Sequence, residues 1–197
     1  MSSFVSRSTR SIIACIALLM LTASCSDLIK RLDATFNDKA KRASPQAEAA
    51  ASLNGTTIRI NYGQPSKKGR EIFGKLVPYG EVWRLGANEA TEITLSNDVT
   101  VAGKALKAGR YTLCAIPQPN SWTIVFNSKL GQWGAFFYDQ KDDVLRVDVP
   151  ASSADAVTEK LTLTFDTPKT AEGTATNTAN LSILWDKTTV LVPFTVK

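Results

Sequence analysis

Thr57-Ile58-Arg59-Ile60-Asn61-Tyr62 alternates polar and apolar side chains without a break, and Gly63-Gln64-Pro65 then stops the run. A period of two puts every second residue on one face, which predicts a half-buried strand. Outward from it the same texture recurs at Glu92–Ser96, Val99–Ala102, Arg110–Ile116, Trp122–Asn127, Gly134–Tyr138, Val144–Val149, Lys160–Phe165, Leu181–Trp185 and Thr189–Val196. Gly103, Gly109, Pro117-Gln118-Pro119-Asn120 and Lys187 fall at the intervening turns. Ten short strands with closely spaced turn signals and little helix predict an all-β fold, a single β-sandwich domain.

The amino end has a different character. Arg7 and Arg10 precede a ten-residue apolar run, Ile12 to Leu21, too short to span a bilayer core that needs about 20 residues. Leu21-Thr22-Ala23-Ser24-Cys25 then sets small residues before a cysteine. Positive residues, a short apolar run and a small-residue cleavage site make residues 1–24 a signal peptide. The five residues around the cut resemble the bacterial lipobox, with Thr22 where leucine is usual. That resemblance implies acylation of Cys25, and Ser26 in place of aspartate favours an outer-membrane lipoprotein facing the periplasm. Residues 25–50 are read as a lipidated tether, in which Leu28, Ile29, Leu32 and Phe36 recur at helical spacing among basic residues, and residues 51–197 as the domain.

Composition removes several classes of function. The chain of 197 residues has no histidine, which excludes histidine-based acid–base catalysis, the serine and cysteine triads that need it, and histidine-ligated metals. Its +5 charge becomes +3 once Arg7 and Arg10 leave with the signal peptide, too little and too scattered for a nucleic-acid face. Of three cysteines only Cys114 remains after Cys15 departs and Cys25 is acylated, so no disulfide forms within the monomer. Cys114 lies in Tyr111-Thr112-Leu113-Cys114-Ala115-Ile116 and reads as a small buried hydrophobe. Trp122, Trp133 and Trp185 read as core aromatics spanning the two sheets. No cofactor is implied, because the glycines at 63, 69, 74, 80 and 86 lack a P-loop lysine and its strand–helix context.

Residues 64–91 fit no strand. A stretch this long inside a compact domain is uncommon and is often functional. It carries Arg70, Glu71, Tyr79, Trp83, Arg84, Asn88 and Glu89: two guanidiniums, two carboxylates, an amide and two aromatics. Arginine forks suit a carboxylate or phosphate, and aromatic faces suit a sugar or a cation. The competing reading is architectural, with Arg84–Glu89 and Arg70–Glu71 pairs pinning the loop while Trp83 fills core volume. Paired carboxylates, Glu89 with Glu92 or Asp142 with Asp143, supply the residue types of a glycosidase-like hydrolase that works without histidine. Asp139, Asp142 and Asp143 lack the spacing of a calcium loop.

The loop is also where a family resemblance lies. Gln64-Pro65-Ser66, Gly69-Arg70-Glu71-Ile72-Phe73-Gly74, Leu76-Val77-Pro78-Tyr79-Gly80 and Val82-Trp83-Arg84-Leu85-Gly86-Ala87-Asn88-Glu89-Ala90-Thr91 resemble the signature of the bacterial domain-of-unknown-function family number 2911. The likeness extends through Ala108–Leu113, Trp122–Asn127, Trp133-Gly134, Asp142–Val147 and Leu184-Trp185-Asp186, and covers residues 44–197. Leu85 and Phe73 depart from the expected pattern. The resemblance implies an exported, largely β protein and carries no known activity. The sequence thus predicts a lipid-anchored binding or structural module of the cell envelope. Its partners would be the membrane, through the anchor, and a small polar ligand or an envelope protein at the loop. The hydrolase stands as the alternative.

Overall fold

A computed structural model of the chain describes residues 42–166 and 177–196. The signal peptide, Cys25 and the helical spacing at 28–36 lie outside the described residues. The domain forms a compact unit from Ala43 onward. Its described residues form nine strands, β1 (Gln46–Leu53), β2 (Thr56–Gly63), β3 (Glu92–Leu95), β4 (Val99–Val101), β5 (Lys104–Leu106), β6 (Gly109–Pro117), β7 (Ser121–Asn127), β8 (Asp143–Asp166) and β9 (Thr178–Val196). They pair antiparallel in the order β1-β2-β3-β6-β7-β8-β9-β4-β5. No helix among the described residues is long and apolar enough to cross a membrane.

The sandwich arises because β8 belongs to both layers. Its first part pairs with β7, from Asn127↔Asp143 to Ser121↔Pro150, and its later part pairs with β9. The change of partner falls between Pro150 and Ala151, and register shifts between Ser153 and Thr158 and between Thr158 and Thr162 follow within the part paired with β9. Such irregularities bend a strand and let it turn from one sheet into the next. Facing side chains then meet across the interior: the Phe126 ring on β7 lies 6.4 Å from that of Phe194 on β9.

Alternation supplies the core. Ile58, Ile60 and Tyr62 of β2 are buried and Arg59 is exposed, as the opening stretch predicts. In β9 the buried residues are Ala179, Leu181, Ile183 and Trp185, then Val190, Val192, Phe194 and Val196. The parity changes from odd to even around Asp186, whose φ of 55° marks an irregular residue that resets which face points inward. Lys187 therefore marks no turn between two strands; Leu181–Trp185 and Thr189–Val196 are one strand. Val144–Val149 and Lys160–Phe165 likewise join as β8, through a largely exposed middle whose few apolar side chains, such as Val157, do not alternate into the core.

Three further expectations are corrected. Residues 46–50, read as the end of the tether, are the first half of β1, in register with β2 from Gln46↔Gly63 to Leu53↔Thr56. Their alanines favour helix locally, but Asn54 and Gly55, with φ of 45° and 78°, form the tight turn that folds this segment back onto β2. Gly134–Tyr138 is not a strand but a turn, and Trp133 is 53% exposed rather than core. β5, unforeseen, follows the similar turn at Ala102-Gly103.

Candidate functional site

Residues 64–91 are irregular but thoroughly bonded, because their backbone takes up sheet edges that the strands leave open. Leaving β2, the Leu161 amide donates to Pro65 O at 2.9 Å and the Lys67 amide to Glu159 O at 2.7 Å, which ties the loop to β8. On the other side β3 covers only the first part of β6. Beyond it the Leu113 amide donates to Thr91 O, Trp83 and Ala115 exchange both backbone hydrogen bonds, and the Gly80 amide donates to Pro117 O. The loop is thus a discontinuous strand beside β6, which answers where its polar backbone groups go.

Between Trp83 and Thr91 the chain leaves β6 and returns. Leu85 and Asn88 have φ of 52° and 63°, the left-handed region that is disfavoured for both and more so for leucine. Thr91 holds the excursion closed: its amide donates to Arg84 O and its hydroxyl to Leu85 O at 2.8 Å. The Ala87 amide docks on Gly63 O at 3.1 Å. Backbone strain of this kind persists only where surrounding bonds over-determine it, and it gathers at ligand clamps and functional turns.

Trp83 is buried within an aromatic group. It stacks on Trp185 at 5.8 Å between ring centroids and meets Trp122 at 6.0 Å and Phe73 at 5.9 Å, both edge-on. Its indole donates to Gly86 O at 3.2 Å. Trp83 therefore does fill core volume, as the architectural reading holds. The arginines do not follow that reading. Arg70 donates to the carbonyls of Ser66 and Lys67 instead of pairing with Glu71. Arg84 forms no ion pair with Glu89, and its buried Nε has no hydrogen-bond partner among the described residues. Burial holds the Arg84 guanidinium below its usual pKa, though an arginine stays charged at any neutral pH.

Arg84 and Arg70 line a concavity of about 200 Å³ together with Trp83, Trp185, Leu76 and Ser44, and among the described residues no carboxylate lines it. Arg84 and Trp83 also line an adjoining hollow of about 180 Å³ that includes Glu81 and Ala135. The remaining predicted residues are dispersed. Glu71 and Tyr79 are exposed and line neither hollow; Asn88 donates to Ser44 O at 3.0 Å, and Glu89 bridges to Trp133. Ser44 and Trp185 were not foreseen. Only the pairing of β9 with β8 brings Trp185 beneath the loop, and no local signal predicts that.

The carboxylates considered for hydrolysis are held elsewhere. Glu92 accepts from Arg110 at 2.6 Å and from the Gly131 amide. Asp143 accepts from Tyr138, Arg146 and Asn127. A concavity of about 190 Å³ on the β4–β5 hairpin is lined by Asp98 and Lys107, which pair with each other at 2.8 Å. The hollow at the loop differs in that no Asp or Glu among the described residues lines it.

The described residues form an all-β antiparallel sandwich with an arginine-lined hollow under one long irregular loop. The chain belongs to the family described as protein of unknown function (DUF2911), whose model matches residues 44–194. No curated protein and no solved structure matches the chain.

Proposed function

We propose that this protein is a lipid-anchored module of the bacterial cell envelope, held by acylated Cys25 in an outer membrane and facing the periplasm. In this reading the hollow at Arg84 takes a small oxyanion, a carboxylate or phosphate, or the acidic end of a longer molecule. One observation carries the binding reading: among the described residues, a partly buried guanidinium whose Nε has no partner lines a hollow without acids. An unsatisfied buried donor costs about 1–3 kcal/mol, and a ligand oxyanion would complete the missing hydrogen bond in fork geometry. Arg70 would supply a second positive charge, and Trp83 and Trp185 a rigid apolar wall. At about 200 Å³ the hollow is smaller than the 300–1,000 Å³ of ordinary ligand sites. It suits one acidic group and a few carbons.

The test is a thermal-shift series on the full chain in detergent, with phosphate, acetate, amino acids and sugar acids. A ligand at about 100 times its Kd adds about 2.7 kcal/mol of stability and raises Tm accordingly. Arg84→Gln is expected to abolish that shift. Without ligand, Arg84→Met, which puts an apolar atom in place of the orphaned donor, should be no less stable than wild type, and more stable by about 1 kcal/mol. A shift of equal size in Arg84→Gln, or none for any acid, would sink the binding reading.

Anchoring is tested separately. Metabolic labelling with palmitate should mark the wild-type chain and not Cys25→Ser, and mass spectrometry should find the mature amino terminus at position 25. An unmodified thiol there would remove the envelope address and leave the pocket untouched.

A further inference from the structure

The segment between β7 and β8 contains Trp133-Gly134-Ala135-Phe136-Phe137-Tyr138, and it projects large apolar rings into solvent. Phe136 is 81% exposed, Phe137 65% and Trp133 53%. A soluble surface tolerates scattered apolar residues, but three large aromatics within five positions form an apolar patch that marks a contact site.

The turn is built to present them. Asn127, fully buried at the end of β7, donates to Asp139 O and to Asp143 Oδ1 and accepts from the Lys129 amide. Tyr138 donates its phenol proton to Asp143, and Arg146 bonds both. Gly134, with φ of 68°, has the Phe136 ring where a Cβ would stand, 2.8 Å away. These bonds hold the base of the turn while the rings point outward.

The turn also stands where the chain enters the domain. Asn88 donates its side-chain amide to Ser44 O, and its own carbonyl accepts from the Gly134 amide at 3.0 Å. One residue thus links the first residues of the sandwich to the aromatic turn. The 19 peptide links from Cys25 to Ser44 reach at most about 65 Å, so an anchor at Cys25 keeps this end of the domain within range of the bilayer at high effective concentration.

We infer that the Trp133–Phe137 turn is a second membrane contact: its rings enter the lipid interface and lay the tether end of the sandwich, with the Arg84 hollow beside it, against the surface holding the anchor. This rests on the lipid anchoring proposed above. Aromatic rings partition to the membrane–water boundary. Charge near the tip is balanced, Lys129 and Lys141 against Asp139 and Asp142, with Lys141 bound to Asp139 at 2.8 Å. Insertion is therefore apolar and needs no anionic lipid. That distinguishes it from electrostatic docking, which salt screens.

The chain carries its own probe. Of its four tryptophans, Trp83, Trp122 and Trp185 are 8%, 2% and 2% exposed, so Trp133 is the one that lipid can reach. The mature full-length protein is reconstituted into vesicles of phosphatidylcholine, with and without bromine on the acyl chains, and recovered by flotation. Brominated lipid is expected to remove about half or more of the Trp133 emission, at low and high salt alike, as suits a ring at the interface. Trp133→Phe should remove the quenchable component. The doubly exposed pair Phe136→Ser with Phe137→Ser should float and melt like wild type yet lose the quenching. Flotation without quenching overturns the contact while sparing the anchor. Failure to float overturns the anchor and the contact with it.

Discussion

Gly63→Ala is expected to lower stability by about 3 kcal/mol, or about 10 °C in Tm for a chain of this size. A Cβ at Gly63 would stand 2.1 Å from the carbonyl oxygen of Ala87 and 2.9 Å from its carbon. Both obstacles are backbone, so no rotamer change relieves them. Accommodation requires the 83–91 excursion to lift from β2, breaking the Ala87–Gly63 hydrogen bond and moving Arg84. The variant should therefore lose both stability and any oxyanion-dependent thermal shift. Gly55→Ala is the control. Its φ of 78° strains an alanine, but nothing lies within 4 Å of the new carbon, so the cost should be about 1 kcal/mol. Equal losses for the two variants would show that the close approach at Gly63 is unimportant.

The second large effect is alkaline. Cys114 is 2% exposed, and burial, with Asp143 adding a smaller Coulombic contribution, raises its thiol from 9.0 to about 12. The unfolded chain releases this proton first as pH rises, so it binds fewer protons than the folded chain above pH 9. Stability is then unaffected below pH 9 and falls between pH 9 and 12. At about 1.4 kcal/mol per pH unit the total reaches about 4 kcal/mol by pH 12. Tyr138, raised by burial to about 12, acts in the same direction over a narrower range, reduced because the ring is partly solvated. Denaturant melts from pH 8 to 11.5 should show a steep decline in wild type and a shallower one in Cys114→Ala. Parallel curves would mean that the thiol ionises freely in the native state. The same burial predicts that thiol reagents modify Cys114 only as fast as the chain unfolds.

Legibility in the sequence followed burial. Where one face of a strand met the core and the other met water, as in β2, the alternation located it. β6 is buried on both faces, Leu113 and Ala115 toward the core and Cys114 opposite, and it still reads as a strand because its apolar run is bounded by turn residues. β1 failed that test: its alanines carry weak contrast, and the Asn54-Gly55 turn was the signal that could have found it. The middle of β8 gave no contrast at all, being mostly exposed.

At the site, residue chemistry was visible and placement was not. The spacing of Arg70, Trp83 and Arg84 along an unstructured run marked the region, yet the expected Arg84–Glu89 pair does not form. Trp133 looked like core because tryptophan usually is, and it faces solvent because the turn at Gly134 carries it outward.

Local pattern alone determined that this chain is an all-β protein with one long irregular insertion, since alternation and turn chemistry act over a few residues and need no knowledge of the whole. Which strands merge, which guanidinium nitrogen is left without a partner among the described residues and which tryptophan meets water were decided only when β8 turned between the sheets and brought β9 under the loop. Those outcomes depend on neighbours a hundred residues apart in the chain, and burial there is a property of the assembled sandwich.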